Sequence, residues 1–260
     1  MDQVKGVLID IDGVLYVGAQ AIPGAVEAIK YLQEEEIPFR LITNTTMQSR
    51  QALQTKLKVL GFNVQIDKIF SAPYAASLYL KERKAEKIYL FVKGTTSMDF
   101  KDFKITEINP EYIILGDLEE EFTYERLNKA FRIIMSGAKM IALQKNRFWE
   151  SENGLTLDAG AYVALLEYAT RKEALVIGKP SREFFMMAVS DMGLKPDEVL
   201  MVGDDVEVDV KGAQESGICG ALVKTGKFRE EYLKETGIQP DFVLESIKDL
   251  PEFLRKAKYK

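Results

Sequence analysis

Apolar and polar positions alternate in blocks along most of the chain. Short apolar runs, often rich in β-branched residues, end at glycine or polar residues, as buried strands do. They predict strands at 4–11, 39–43, 175–178, 198–202, 219–223 and 242–244. Amphipathic stretches between them predict helices at 22–35, 49–60, 181–192, 206–216 and 247–257. Strands that alternate with helices through short connections favour a parallel sheet with right-handed crossovers.

The middle of the chain continues this alternation with a different content. Strands are predicted at 87–92, 112–115 and 140–143, and helices at 124–136 and 161–170. This segment is long enough to form a domain of its own. The predicted fold class is therefore α/β: a Rossmann-like three-layer α/β/α core with a parallel sheet, built from residues 1–78 and 175–260, with an inserted α/β domain at 79–174.

The amino-acid composition excludes several kinds of chemistry. The 260-residue chain has no histidine, which rules out Ser-His-Asp and Cys-His catalysis and histidine-rich zinc sites. Its single cysteine, Cys219, is followed six residues later by Thr225, where a cysteine phosphatase would need an arginine. Catalysis must then depend on carboxylates, lysines, hydroxyls and a metal.

The net charge and the hydropathy of the chain limit the kinds of partner that it is expected to bind. A net charge of -5 argues against nucleic acid, whose phosphates favour a basic surface. No apolar run reaches the roughly 18 residues that a membrane span needs, and the amino terminus does not resemble a signal peptide. We therefore expect no membrane association and a cytoplasmic location, with which a single cysteine agrees. A small anionic substrate stays open, because a local group of donors outweighs a weak overall charge.

Two acids follow the first predicted strand. Asp10 and Asp12 fall on one side of an extended chain, and they would repel each other unless a cation lies beside them. Ligands of open parallel sheets bind at the carboxyl ends of strands, where this pair lies. An ordinary Asp-Gly turn explains the same residues about equally well when they are taken alone.

A second acidic group follows the strand at 198–202 and contains Asp204, Asp205, Glu207 and Asp209. One acid at a helix amino terminus is explained by capping, since the helix dipole favours negative charge there. Four acids so close together favour instead a hard divalent cation with oxygen ligands.

Two further polar segments follow predicted strands. Lys179, before Pro180, would bring a cation to a site rich in carboxylates, although a lone lysine is usually a solvated surface charge. Thr43 and Asn44 follow the second strand, where hydroxyl, amide and backbone N–H groups suit a phosphate and where a helix cap is the alternative. Because the carboxyl ends of parallel strands share one edge, the four segments together predict one site with a metal, a lysine and donors for an oxyanion.

In their order along the chain, these segments resemble the four motifs of the haloacid-dehalogenase-like superfamily. Asp10-Ile-Asp12-Gly-Val resembles the first motif, Thr43-Asn44 the second, Lys179 the third, and Gly-Asp204-Asp205-xxx-Asp209 the fourth. The long interval between the second and third motifs resembles the C2 cap arrangement of subfamily IIA, the NagD-like hydrolases. The stretches 178–185, 202–205, 212–214 and 224–228 are similar to the branch that holds the phospholysine/phosphohistidine inorganic pyrophosphatases and their HDHD-type relatives.

The resemblance implies a magnesium-dependent phosphatase that hydrolyses small phosphorylated metabolites through an aspartyl-phosphate intermediate. Asp10 would be the nucleophile, Asp12 the acid and base, and Lys179 the cation that offsets the charge of nucleophile and phosphate. Mg²⁺ would be held by the Asp10 carboxylate, the Asp12 backbone carbonyl and Asp204. The other implied site residues are Thr43 and Asn44, as phosphate ligands, and Asp205 and Asp209, in supporting roles.

The inserted domain, as a C2 cap, is implied to select the substrate. By resemblance to the family's specificity loop, Asp158 and Gly160 are its candidate contacts, but a capping aspartate followed by glycine explains the same pair more simply. Relatives with this cap often dimerise through it, which adds a homodimer to the expected partners.

Two other functions stay open. A non-hydrolytic binding or scaffold protein could use the same fold, although a site that no longer catalyses a reaction would be expected to lose at least one costly carboxylate. A phosphotransferase to an alcohol acceptor would use the same residues as the hydrolase. Neither GxGxxG nor a P-loop motif occurs, so the sequence does not support those nucleotide-binding sites.

Overall fold

The computed structural model describes residues 4–151 and 154–258. The strands of this part of the chain are β1 Gly6–Asp10, β2 Tyr16–Val17, β3 Gln20–Ala21, β4 Phe39–Thr43, β5 Ile69–Ser71, β6 Lys87–Phe91, β7 Lys104–Ile105, β8 Tyr112–Leu115, β9 Lys139–Ala142, β10 Phe148–Ser151, β11 Gly154–Leu157, β12 Leu175–Val176, β13 Val199–Gly203, β14 Cys219–Val223 and β15 Phe242–Leu244. Its α-helices are α1 Ala25–Glu34, α2 Arg50–Val59, α3 Ala72–Glu82, α4 Tyr124–Met135, α5 Ala159–Thr170, α6 Arg182–Asp191, α7 Gly212–Glu215, α8 Glu230–Thr236 and α9 Leu250–Lys258. Short 3₁₀ turns lie at Ile66–Lys68, Thr96–Phe100, Glu119–Glu121, Pro196–Glu198 and Ile247–Asp249.

The chain forms two compact units. Unit 1 contains Met1–Thr43, Leu53–Phe70 and Lys179–Lys260, and unit 2 contains Asn44–Ala52 and Ser71–Gly178. Unit 2 contains the whole of the predicted inserted domain at 79–174, together with residues 44–52, α3 and β12.

Unit 1 is built on a sheet with the strand order β15-β14-β13-β1-β4-β5. β1 pairs in parallel with β13 and with β4, and β14 pairs in parallel with β13 and β15. All five residues of the central strand β1 are buried. A parallel strand covered on both faces is apolar along most of its length, which explains why the sequence predicted it. The predicted α/β fold class is confirmed.

Helix α1 shows how the rest of unit 1 covers this sheet. Its buried residues, Ala25, Ala28, Ile29 and Leu32, have the spacing of one helical face. They join the apolar core that β1, α2 and α9 also line. The sequence therefore folds here as its hydrophobic period predicts.

Unit 2 contains a second parallel sheet, with the strand order β12-β9-β8-β6-β7. Apolar side chains of α4 and α5 pack in its core. β10 and β11 form a separate antiparallel hairpin between β9 and α5. Among the described residues, none of the helices combines the length and apolarity that crossing a bilayer requires.

Two sequence predictions need correction. The strand that precedes Lys179 was expected to end at the same sheet edge as β1, β4 and β13, but it is β12, which pairs with β9 in the sheet of unit 2. The helix predicted at 206–216 is a π-helical turn, Val206–Lys211, followed by the short helix α7. The backbone widens in this turn beside two buried acids of the fourth motif, and such turns are frequent at functional sites.

Candidate active site

Three of the four predicted polar segments meet at one edge of the sheet of unit 1. The register pairs Asp10 with Ile42 and Ile9 with Val202, so β1, β4 and β13 end together. Asp10 closes β1, Thr43 closes β4, and Asp204 directly follows β13. Thr43 is buried, and Asn44, the next residue along the chain, is half-buried at the start of unit 2.

Lys179 joins this edge from the loop before α6. Its ammonium nitrogen, Nζ, lies 2.6 Å from Asp10 Oδ1 and 2.7 Å from Asp209 Oδ1. The side chains of Lys179 and Asp209 are almost wholly buried, at 4% and 0% exposure. Buried charges are tolerated when they are paired in this way. Lys179 is therefore a fixed internal cation between two carboxylates, and the solvated-surface alternative does not apply.

A divalent cation fits the carboxylates beside this lysine. One carboxylate oxygen from each of Asp10, Asp204 and Asp209 lies within 4.8 Å of the other two. Asp204 Oδ1 is buried and has no hydrogen-bond partner among the described residues. A buried oxygen without a partner is costly, and an oxygen-only donor set is the one that Mg²⁺ prefers.

The group differs in one member from the metal ligands that the sequence suggested. Asp10 and Asp204 belong to it, and its third acid is Asp209. The side chain of Asp12 is exposed, and the expectation for this residue concerned its backbone carbonyl. The group contains three carboxylates, and Lys179 neutralises only one negative charge. It therefore carries excess negative charge unless protons or a cation are added.

The pKa values of these acids follow from burial and crowding. Burial raises the pKa of Asp204 to about 8, with repulsion from Asp10 and Asp209 adding to the rise. Burial likewise raises the pKa of Asp209 to about 7, against the attraction of Lys179. Burial raises the pKa of Asp10 as well, and again Lys179 opposes the change.

The lysine responds in the opposite sense. Burial alone would lower the pKa of Lys179, but the neighbouring carboxylates of Asp10 and Asp209 raise it above its ordinary value. Lys179 therefore stays charged, and it is the protein's own counter-ion for Asp10 and Asp209.

Tyr16 is a site residue that the sequence analysis missed. Burial raises the pKa of Tyr16, and the neighbouring Asp12 side chain adds to the rise. The ring is 2% exposed, with the Lys56 ammonium 4.0 Å from its centroid. The Gly13 N–H donates to the Tyr16 carbonyl at 2.8 Å, which closes the turn after β1. Tyrosines often occur a few residues after a strand, so the sequence alone provides no reason to assign Tyr16 to the site.

Asp205 caps the π-helical turn. Its Oδ1 accepts hydrogen bonds from the N–H groups of Glu207 and Val208 at 3.1 and 3.0 Å. Its own N–H donates to Asp209 Oδ2 at 3.2 Å. The capping alternative therefore accounts for Asp205, whereas Asp204 and Asp209 belong to the carboxylate group.

The two cap candidates have structural roles within unit 2. Asp158 is the N-cap of α5: its Oδ1 accepts from the Ala159 N–H at 2.7 Å and also from the Gln144 side-chain amide. A Cβ on Gly160 would lie 2.3 Å from the Asn146 carbonyl oxygen, so only glycine fits there. The simpler, capping interpretation of Asp158 is confirmed, and a contact of either residue with substrate stays a prediction.

Comparisons with known proteins agree with this geometry. Two family models, described as haloacid dehalogenase-like hydrolase and HAD-hydrolase-like, match residues 7–106 and 176–250. Human haloacid dehalogenase-like hydrolase domain-containing protein 2 is 40% identical over 94% of this chain and 93% of its own length. The phospholysine phosphohistidine inorganic pyrophosphate phosphatase of Danio rerio is 36% identical over 95% of this chain and 93% of its own length.

The fold comparison covers almost the whole chain. The solved structure of a p-nitrophenyl phosphatase from Archaeoglobus fulgidus superimposes with a TM-score of 0.91 and 30% identity, covering 97% of this chain and 100% of that one. The relatives thus lie in the branch that the motifs indicated, and both units are matched. The chain belongs to the family of haloacid dehalogenase-like hydrolases.

Proposed function

We propose that this hydrolase is a magnesium-dependent phosphatase that acts on small phosphorylated metabolites through a phosphoaspartate at Asp10. The observation that carries the proposal is the buried group of Asp10, Asp204 and Asp209, two of them paired with Lys179, with one Asp204 oxygen that has no hydrogen-bond partner among the described residues. The names of the relatives, two of them phosphatases, support the same reaction class.

The first step would use Asp10 and Asp12. A carboxylate oxygen of Asp10 attacks phosphorus, a P–O bond to Asp10 forms, and the bond to the leaving oxygen breaks. Asp12 gives its proton to that oxygen, so the product leaves as an alcohol. Asp12 suits this role because its side chain is exposed to incoming substrate, beside the buried Tyr16.

The second step would return both acids to their starting state. A water molecule attacks the phosphorus of the phosphoaspartate, Asp12 takes the proton of that water, and the bond between phosphorus and Asp10 breaks. Inorganic phosphate leaves. Throughout, Lys179 would offset the negative charge that Asp10 and the phosphoryl oxygens bring together, and Thr43 and Asn44 would donate hydrogen bonds to those oxygens.

Asp10 and Asp204, with Asp209 beside them, would hold Mg²⁺ near the phosphate. When bound, the ion supplies positive charge that lets an anionic nucleophile approach an anionic phosphate. The fit of the ion rests on the oxygen-only donor set and the buried Asp204 Oδ1.

The proposal is tested by phosphate release from p-nitrophenyl phosphate, an alkyl phosphate, a phosphoramidate and pyrophosphate. We expect hydrolysis that requires Mg²⁺, stops with EDTA and falls about a thousandfold or more in Asp10→Asn. The matched control is Asp67→Asn, which makes the same change at an exposed acid outside the site and should keep wild-type rates. The ranking of the four compounds then indicates the substrate class.

The alternatives predict different results. A scaffold protein would release no phosphate, and Mg²⁺ with beryllofluoride, a mimic of phosphoaspartate, would not raise its melting temperature. A phosphotransferase would divert phosphate to added glycerol. Hydrolysis that survives in Asp10→Asn at the wild-type rate would reject Asp10 as the nucleophile. The cytoplasmic location and the homodimer stay predictions of the sequence.

A further inference from the structure

The loop 224–229 contains no acid, yet it fixes one carboxylate of the site. The backbone N–H of Lys227 donates to Asp204 Oδ2 at 2.7 Å. The other oxygen, Oδ1, is the buried atom that lacks a hydrogen-bond partner in the described part of the protein. The loop therefore engages one oxygen of Asp204 and leaves the other for the group that Asp204 forms with Asp10 and Asp209.

Two glycines leave the space that this carboxylate occupies. A Cβ on Gly13 would lie 1.9 Å from Asp204 Oδ2, and a Cβ on Gly226 would lie 2.0 Å from the same oxygen. Both glycines also have positive φ, +83° and +59°, which other residues rarely adopt. Any side chain at either position would push the carboxylate out of its place. The oxygen sits in a slot between the loop after β1 and the loop after β14.

The two loops that form the slot are joined to each other. Thr225 Oγ1 donates to the Gly13 carbonyl oxygen at 2.6 Å, and a Cβ on Gly226 would lie only 2.5 Å from Gly13 Cα. The Lys227 ammonium lies 3.4 Å from Asp205 Oδ2. The loop is thus held to the first motif by a hydroxyl and to the fourth by an amide and an ammonium group.

We propose that residues 225–227 are positioning residues that orient Asp204 as a metal ligand, and that Thr225 and Gly226 thereby set the affinity of the site for Mg²⁺. Carboxylates that bind metals are commonly held by hydrogen bonds from residues that do not touch the ion, and loss of such bonds weakens metal binding. The inference rests on the proposed function, since it takes Mg²⁺ as the cation.

The test measures Mg²⁺ binding directly, by isothermal titration calorimetry on the full chain without substrate. We expect Gly226→Ala to weaken Mg²⁺ binding by about tenfold or more, because its Cβ would displace Asp204 Oδ2. The matched control is Gly18→Ala. Gly18 has the same φ, +59°, but a Cβ there meets no described atom within 4 Å, so it reproduces the backbone strain without the collision. This variant should bind Mg²⁺ as the wild type does.

A second pair of variants keeps the test valid if Gly226→Ala does not fold. Thr225→Val removes the hydroxyl that holds the loop to Gly13 and should weaken Mg²⁺ binding by roughly threefold to tenfold. Thr236→Val, which removes a hydroxyl bonded to the Leu233 carbonyl on α8, should leave the affinity unchanged. Circular dichroism and the metal-free melting temperature establish that each variant is folded.

The outcomes separate this inference from the proposed function. Weakened Mg²⁺ binding in folded Gly226→Ala or Thr225→Val, but not in the controls, supports the positioning role. Wild-type affinity in folded Thr225→Val and Gly226→Ala overturns it, while a wild type that still binds Mg²⁺ leaves the proposed function standing. A wild type that binds no Mg²⁺ rejects the proposed metal dependence, and the positioning role with it.

Discussion

At the scale of single residues, the acids of the site differ by how much water reaches them. Asp10, Asp204 and Asp209 are buried, whereas the Asp12 side chain is exposed and lies beside the buried phenol of Tyr16. Burial suits acids that hold a cation or share a lysine. Exposure suits an acid that must meet a leaving group and then a water molecule. The roles proposed for the four acids agree with this difference in burial.

Tyr16→Phe tests whether the phenol prepares Asp12 for proton transfer. An alkyl leaving group needs its proton from Asp12, whereas p-nitrophenolate leaves without one. We expect kcat/KM to fall about tenfold for an alkyl phosphate and about twofold or less for p-nitrophenyl phosphate. Tyr31→Phe, which removes a hydroxyl from α1, is the control for loss of a phenol. An equal fall with both substrates would show that Tyr16 acts only on folding or binding.

At the scale of helices and strands, the sequence predicted those elements whose burial leaves a regular pattern. β1, β4 and β13 are apolar because both faces of the sheet are covered, and their ends brought Asp10, Thr43 and Asp204 to one edge as expected. The two-residue strands β2, β3 and β7 are too short to show a period. Helix α3 was missed because most of its own residues are apolar or small and buried, so its sequence shows no clear division into an apolar and a polar face.

Features that depend on distant parts of the chain were beyond the sequence pattern. The sequence of β12 is that of any short apolar strand. Only its pairing with β9 shows that it belongs to the sheet of unit 2. The loop 224–229 has no acid, so only the structure shows that it contacts Asp204. Motifs therefore identified the residues that carry charge, while the residues that orient them needed three-dimensional contacts.

Asp158 gives a prediction at the start of helix α5. Asp158→Ala removes the side-chain acceptor for the Ala159 N–H and the partner of Gln144, so it should lower stability by about 1 kcal/mol. For a protein of this size that corresponds to a fall in melting temperature of about 2–4 °C. Asp158→Asn keeps an oxygen in the same place and should leave both melting temperature and substrate ranking unchanged. A changed substrate ranking in Asp158→Asn would assign this residue to specificity as well as capping.

At the scale of the whole molecule, the buried acids tie stability to pH and to metal. The chain carries a small net charge of -5, but three of its carboxylates lie within 4.8 Å of one another, and only two of them pair with Lys179. In the absence of a cation, burial raises the pKa values of Asp204 and Asp209 to about 8 and about 7, and repulsion from neighbouring carboxylates adds to the rise, so the folded protein holds protons there. Mg²⁺ would replace those protons, so metal binding and proton release are linked.

The pKa values of the two acids determine how stability changes with pH. Unfolded aspartates lose their protons near pH 4, whereas Asp204 and Asp209 in the metal-free folded state keep theirs until about pH 8 and 7. Between these limits the folded state binds more protons, so the contribution of these acids to the free energy of unfolding falls as pH rises from about 4 to about 8. Mg²⁺ competes with fewer protons at pH 8, and its stabilising effect should be larger there than at pH 6.

Thermal unfolding of the wild type and Asp204→Asn, with and without Mg²⁺ at pH 6 and pH 8, measures this linkage. We expect Mg²⁺ to raise the melting temperature of the wild type more at pH 8 than at pH 6. Asp204→Asn removes one of the crowded charges, so it should raise the metal-free melting temperature at pH 8 and abolish most of the Mg²⁺ effect. The exposed-acid control Asp67→Asn should behave as the wild type. An equal Mg²⁺ effect at both pH values would mean that the cation binds without displacing protons from these carboxylates, and it would reject the linkage between metal binding and proton release.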